Sequence, residues 1–371
     1  MQAQRYTYVP HLPSLSKPRH KHHPLTQESV GDYFAPFRRQ VRGTETPMMH
    51  KPSRNFPPYS KENDMQVKAL LKRYQKVGRR LARGSYWDIY EAEDTQDPSN
   101  KCVLRVSNKG LLPNSYKREM EVNPNIADTT YLAKLIDIVY DQQKFVFYSV
   151  MELYKCSVLD VMENRGLSIE ESLYAISSVA NGLAYLNRIG YVHLDVKPDN
   201  MLVDYNGKVK LGDFGTTRRI GSNVPISETG DGRYCAPEVF RGSTSPLADV
   251  FSLGICLFEM TTKMTFPTYQ FKFELDDPII TKMFPNEQIA RMYVLMTNLD
   301  YSKRPLPEYL VGFSLFMSIT TYGIHLDKFC VRYSDLDDSI ISPPRVITSR
   351  DYRMTAQYPL CRSDYKQPNL N

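Results

Sequence analysis

The sequence is poor in the features that hold a protein together outside a reducing compartment. Its six cysteines stand at 102, 156, 235, 256, 330 and 361, with no C-x-x-C pair among them. That spacing excludes a disulfide framework and predicts a reduced, intracellular chain. There is no Asn-x-Ser/Thr sequon, no apolar leader of the kind a secretory signal requires, and no run of 18 apolar residues. The nearest approach, GFSLFMSITTYGIHLDKFCV from Gly312, carries His325, Asp327 and Lys328 and reads as buried helix and loop. These absences predict a protein of the cytoplasm or nucleus, monomeric, with no membrane span. No internal repeat is visible either.

A basic surface is also lacking, although the net charge is +6. Residues 1–73 hold 13 Lys or Arg against 5 Asp or Glu, a surplus of 8, so the remaining residues carry about −2. The positive charge belongs to a leading segment that also holds 9 of the 25 prolines and 5 of the 7 histidines. KPRHKHHP and NFPPYS keep neither a helical nor a strand period, and residues 1–73 read as a disordered tail. His20, His22 and His23 lack cysteine or carboxylate companions and read as solvated residues rather than metal ligands. Tyr33, Phe34 and Phe37 beside Arg38 and Arg39 are too few for a nucleic-acid face.

With 42% hydrophobic residues the rest of the chain can bury a core. From about residue 75 come short strand-like runs, DIYEAE, CVLRVS, AKLIDIVYD and KFVFYSVMEL. After residue 158 the apolar spacing turns to three and four, as in IEESLYAISSVANGLAYLNRIG and LADVFSLGICLFEMTT. A strand-rich part followed by a larger helical part predicts an α+β chain of two lobes, with a ligand cleft between them.

The chemistry concentrates in YVHLDVKPDNMLVDYNGKVKLGDFG, residues 191–215. Asp195 can take the proton of a hydroxyl, and Lys197 can neutralise a phosphoryl group in transit. Asn200 and Asp213 offer the hard oxygen ligands that magnesium needs. Farther on, CAPEVF supplies Glu238, LADVFSLG places Asp249 on a buried helix, and LDYSKRP supplies Arg304 as a partner for Glu238.

In these motifs the chain resembles the eukaryotic protein kinases over roughly residues 76–316. The resemblance implies a bilobal fold with a small β-rich lobe and a larger helical lobe, ATP and Mg2+, and a protein substrate. The boundaries it suggests are a tail 1–73, a kinase domain 74–316 and a partly disordered extension 317–371. HLDVKP in place of an H-R-D sequence, and GDGRYCAPE with Asp231 at a customary threonine, resemble the Wee family, closest to its membrane-associated Myt branch. That likeness implies a tyrosine or threonine of a cyclin-dependent kinase, with its cyclin, as substrate and partner, and inhibition of cell-cycle entry as outcome. The Myt branch's hydrophobic anchor and R-x-L docking motif are missing from residues 317–371. Leu194, apolar where the arginine of H-R-D grips a phosphorylated loop, implies activity independent of loop phosphorylation. Ser227 and Thr229 accordingly read as unmodified.

Alignment of the small lobe puts LARGSYWDIYEAED at the phosphate-covering G-x-G-x-x-G-x-V loop. Ala82 and Trp87 replace the outer glycines, Gly84 remains, and Ile89 takes the valine place. Arg105 in CVLRVS stands where the family has its phosphate-binding lysine, with Glu121 as expected partner and Glu119 as the alternative register. Lys101 and Lys109 are further candidates for the phosphate contact. Met151 falls at the gatekeeper position, and Glu152 to Tyr154 at the hinge that meets adenine. A planar, forked guanidinium does not reproduce the point charge of lysine. A pseudokinase, a binding module or scaffold of the same fold with weak or absent transfer, is therefore the alternative.

Overall fold

The structure is a computed structural model that describes residues 60–83, 87–108, 113–225, 228–266, 278–317 and 323–326. It begins with a correction to the expected tail. Residues Lys61–Arg73 form helix α1, capped by Ser60, whose side chain accepts from the Asn63 amide. Val67 and Leu70, three apart and followed by Tyr74, bury one stripe of this helix against the sheet. The bidentate pairing of Arg73 with Asp94, at 2.8–3.2 Å, ties its end to the sheet.

Five antiparallel strands follow: β1 (Tyr74–Arg83), β2 (Trp87–Asp94), β3 (Asp97–Ser107), β4 (Leu135–Asp141) and β5 (Val146–Glu152), in the order β1-β2-β3-β5-β4. Side chains alternate across a strand, so β3 serves two layers. Cys102 and Leu104 pack with Val67 and Leu70 of α1, whereas Val103 joins Leu81, Leu135, Met151 and Tyr154 on the other face. Helix α2 (Pro113–Val122) lies beside that second face, seated by Tyr116 stacked on Phe147.

The larger lobe is helical. α3 (Val158–Asn164) and α4 (Ile169–Arg188) each begin with a capping box, Ser157 with Asp160 and Ser168 with Glu171. α5 (Pro246–Thr262) is buried along nearly its whole length, and α6 (Pro278–Thr281), α7 (Glu287–Met296), α8 (Pro307–Leu310) and α9 (Ser314–Met317) complete the lobe. Short strands β6 (Cys156–Ser157), β8 (Met201–Val203) and β9 (Val209–Leu211) form a ribbon, and β7 (Tyr191–Val192) pairs with β10 (Arg218–Arg219). The expected α+β arrangement of two lobes is the one found.

Beyond α9, residues 323–326 return to the ribbon. The Ile324 amide donates to the Gly207 carbonyl at 2.9 Å and its side chain is 3% exposed. Lys155, just past the hinge, reaches the Leu326 carbonyl at 3.0 Å. No helix among the described residues is long and apolar enough to cross a membrane.

Candidate active site

The segment 193–200 is held by its backbone. Asp249, buried on α5, accepts the amides of His193 and Leu194 at 2.7 and 2.8 Å. Burial pushes its carboxyl up, and the His193 ring and these two N–H groups act against that. Leu194 sits buried at φ 65°, and the His193 Nε2 lies 3.0 Å from the Gly212 carbonyl. The sequence marked Asp249 only as buried; its role as anchor of this loop comes from the geometry.

Asp195 is the centre of the cluster. Lys197 Nζ stands 2.9 Å from its Oδ2, and Asn200 donates to the same oxygen at 2.9 Å and to the Asp195 carbonyl at 2.8 Å. The Asp231 amide donates to Oδ1 at 2.9 Å. Burial raises the Asp195 carboxyl, but Lys197 and the Asp231 amide outweigh it, and the group is held below the ordinary carboxylate range. For Lys197 burial lowers the ammonium, Asp195 raises it, and the net is upward. Gly230 permits this approach, since a Cβ there would lie 2.5 Å from Asp195 Oδ1 and closer still to the Leu194 carbonyl. Asp213 follows β9 with φ 63°, its carboxylate accepting the Gly215 amide at 3.2 Å. The Gly212 amide donates to the Asn200 carbonyl at 2.8 Å, which brings together the two expected magnesium ligands, one just before β8 and the other just after its partner strand β9. The expected pair of Arg304 and Glu238 forms, at 2.5 and 3.1 Å, and is buried.

In the small lobe Arg105 lies on β3 between Ile89 of β2 and Ser149 of β5. It faces the cleft, its side chain 8% exposed. Its partner is Glu119, not Glu121: Arg105 Nη2 donates to both Glu119 oxygens at 3.0 and 2.8 Å. Glu121 lies on another face of α2 and pairs with Arg219 at 3.0 Å. Two residues on an α-helix are about 200° apart in rotation, so only one of these acids can face β3. Burial, then the charge of Asp213, pushes the Glu119 carboxyl up, while Arg105 pulls it down. Lys101 points to solvent, and its carbonyl accepts the Leu153 amide at the hinge, which removes it from the phosphate end. Lys109, Gly84 and the His20, His22 and His23 group lie outside the described residues.

The remaining sequence candidates lie on the strands beside Arg105 or at the hinge. Ala82 pairs with Ile89 across β1 and β2. Met151 closes the back, its sulfur 3.9 Å from Arg105 Nη1. At the hinge, Tyr154 Oη and Lys210 Nζ both donate to Glu152 Oε2 at 3.0 Å. One participant escaped the sequence reading, and a second, Trp87, enters it only as the replacement of a loop glycine. Leu202, two residues past Asn200, packs with Val103, Ile89 and Met151 as an apolar floor. Trp87 stacks on Arg105, the ring centroid 4.2 Å from the guanidinium carbon. The strand period carried that second signal, since Trp87 and Ile89 share a face opposite Ser107 and Arg105.

The sequence comparisons agree with this arrangement. The protein kinase domain family matches residues 74–304. A Dictyostelium discoideum protein described as a probable protein kinase is 32% identical over 271 residues, 65% of this chain and 72% of its own. A probable cell division protein kinase of Encephalitozoon cuniculi is 30% identical over 192 residues, 50% of this chain and 71% of its own. A probable cyclin-dependent kinase 8 of Dictyostelium discoideum is 26% identical over 292 residues, 71% and 75%. With two lobes around a cleft, the acid, lysine and asparagine of the loop assembled, and the family matched over more than half its length, the chain belongs to the protein kinase family.

Proposed function

We propose that this kinase is Wee/Myt-like and transfers the γ-phosphoryl group of ATP to a tyrosine or threonine of a cyclin-dependent kinase, inhibiting cell-cycle entry. The observation that carries transfer is the assembly around Asp195, with both its oxygens bonded and Lys197 beside it. Asp195 accepts the proton of the substrate hydroxyl as that oxygen bonds to the γ-phosphorus and the bond to the β–γ bridging oxygen breaks, releasing ADP. Lys197 offsets the charge on the moving group. The residues fit Mg-ATP: Arg105 Nε is buried without an acceptor and Nη1 meets only a sulfur, which leaves two donors for phosphate oxygens. Asn200 and Asp213 would hold Mg2+, which neutralises phosphate charge when bound. Leu81, Ile89, Val103 and Leu202 offer adenine an apolar slot.

The Wee/Myt assignment rests on Leu194 and Asp231 at the positions named above, and the cell-division and cyclin-dependent names of two relatives accord with a cell-cycle setting. With it go a monomeric kinase domain over 74–316 and residence in cytoplasm or nucleus. A radiolabelled ATP assay on a cyclin-dependent kinase tests the reading. Wild type should label the Thr-Tyr pair of the substrate's glycine-rich loop and Asp195→Asn should not; equal labelling by both, or none by either, refutes transfer.

One observation favours a pseudokinase as second reading. The Trp87 ring covers the guanidinium that has to meet the phosphates. A thermal shift with millimolar Mg-ATP that appears in wild type and vanishes in Asp213→Ala supports the enzyme; no shift in wild type supports the scaffold.

A further inference from the structure

Glu228 has no part in the chemistry above, yet three donors from two separate elements converge on it. Asn114 Nδ2, at the start of α2, donates to Oε1 at 2.9 Å. Arg118 Nη2 of α2 and Arg218 Nη2 of β10 both donate to Oε2. Arg118 Nη1 also donates to the Gly215 carbonyl at 2.8 Å, in the turn that follows Asp213. One carboxylate therefore joins the helix that bears Glu119, the turn that bears Asp213 and the stretch that leads to Asp231.

Electrostatics explains why an anion belongs there. The two guanidiniums crowd one another: burial, then the charge of Arg218, lowers the Arg118 pKa, and Glu228 opposes that. Burial also raises the Glu228 carboxyl, but Asn114, Arg218 and Arg118 outweigh it and keep the group ionised. Without that carboxylate, two like charges would face each other across the joint between α2 and β10, and α2 would be pushed outward. Gly215 allows no slack at this joint, because a Cβ there would strike Ser115 Oγ.

We propose that Glu228 is a positioning residue: a built-in anion that clamps α2 to the segment after Asp213, and so sets the Arg105–Glu119 pair without any regulated phosphate. A phosphate on such a segment works by supplying negative charge to arginines; here the Glu228 side-chain carboxylate supplies it permanently. Leu194, which offers no charge to a phosphate, is consistent with that arrangement. The consequence for transfer rests on the kinase reading above, but the clamp itself does not.

The test uses the full chain with Glu228→Gln, which keeps the side-chain volume and removes the charge. Hydrogen bonds to a charged group are each worth enough for about a tenfold effect. Amide exchange in residues 115–122 should quicken about tenfold, while exchange in α5 stays as in wild type. kcat should fall about tenfold, with KM for the protein substrate changed less than about twofold. Adding Arg118→Gln should cost little more, because the two residues act as one joint. Phosphatase treatment should leave wild-type exchange in α2 unchanged. Wild-type exchange in α2 of Glu228→Gln, or equal quickening in α5, overturns the clamp. If wild type shows no transfer at all, the kinase reading fails while the exchange measurement still decides this one.

Discussion

Trp87 and Arg105 form a stack whose strength can be worked out and measured. A cation over a tryptophan face contributes about 0.5–1 kcal/mol when exposed and about 2 kcal/mol when desolvated. The Arg105 side chain is 8% exposed and its ring partner lies at 4.2 Å, which places the stack near the upper figure. A triphosphate that displaces the ring forfeits that energy, so nucleotide binding is weakened by about tenfold to thirtyfold. Trp87→Val removes the π face while keeping a residue suited to a strand, and should tighten Mg-ATP by about that factor in a thermal-shift titration. Trp87 is the only tryptophan in the chain, so the intrinsic fluorescence of wild type reports the stack directly and should change on saturation with Mg-ATP. An unchanged affinity in Trp87→Val, together with constant wild-type emission at saturation, would refute the idea that ring and phosphates compete.

Arg105→Ala should destabilise the fold by about 3–5 kcal/mol, since Glu119 would be left as an unpaired buried acid, and adding Glu119→Gln should recover most of the loss in a denaturant melt. Lys197→Met removes the largest influence that holds the Asp195 carboxyl down; the acid limb of the pH–rate profile should move to higher pH, and an unmoved limb would count against Asp195 as the base. In wild type the depressed carboxyl contributes stability above the ordinary aspartate pKa that is lost as pH falls through the folded value, while raised Lys197 contributes below the ordinary lysine pKa and loses it as pH climbs past the folded one. Gly230→Ala should cut transfer by about a hundredfold through displacement of Asp195, and should lower the melting temperature because the added Cβ also meets the Leu194 carbonyl. Removing the chain from Gly323 onward uncovers the site filled by Ile324, a loss of about 1.5–3 kcal/mol, visible as a lower melting temperature.

The larger lobe was legible because its signals are local. Asp195, Lys197, Asn200 and Asp213 fall within one hairpin of sequence, and short loops leave them little freedom to separate. The small lobe was legible only in part, because its site is assembled by strand pairing and by the rotation of one helix. The choice between Glu119 and Glu121 turned on that rotation. Tyr116 and Val122, buried on α2, mark its inner face, and Glu119 lies three residues from each, so the helical period held the answer. Helix α1 was hidden by its neighbours: proline and histidine before residue 60 drew the reading toward a tail, although Val67, Leu70 and Tyr74 keep a helical spacing. The contacts of Glu228 with Arg218, Arg118 and Asn114 bring together residues 10 to 114 positions apart, and no single-sequence period carries information over the longer of these separations.

Arg118 and Glu119 are adjacent on α2, so their side chains leave the helix about 100° apart. One meets Glu228 and the Gly215 carbonyl, the other meets Arg105. A rigid helix satisfies both only at one rotation and one distance from the sheet, and Tyr116 stacked on Phe147 fixes that distance. Disturbing the Glu228 joint therefore has to be felt at Arg105, and through the stack at Trp87, without any contact between the two ends. Burial makes the link stiff, since Glu119 turned away from Arg105 would remain a desolvated acid next to Asp213. Arginine on β3, where the kinase resemblance leads one to expect lysine, fits this geometry. A longer, forked side chain can hold Glu119 with one nitrogen and keep two others, Nε and Nη1, without an oxygen partner.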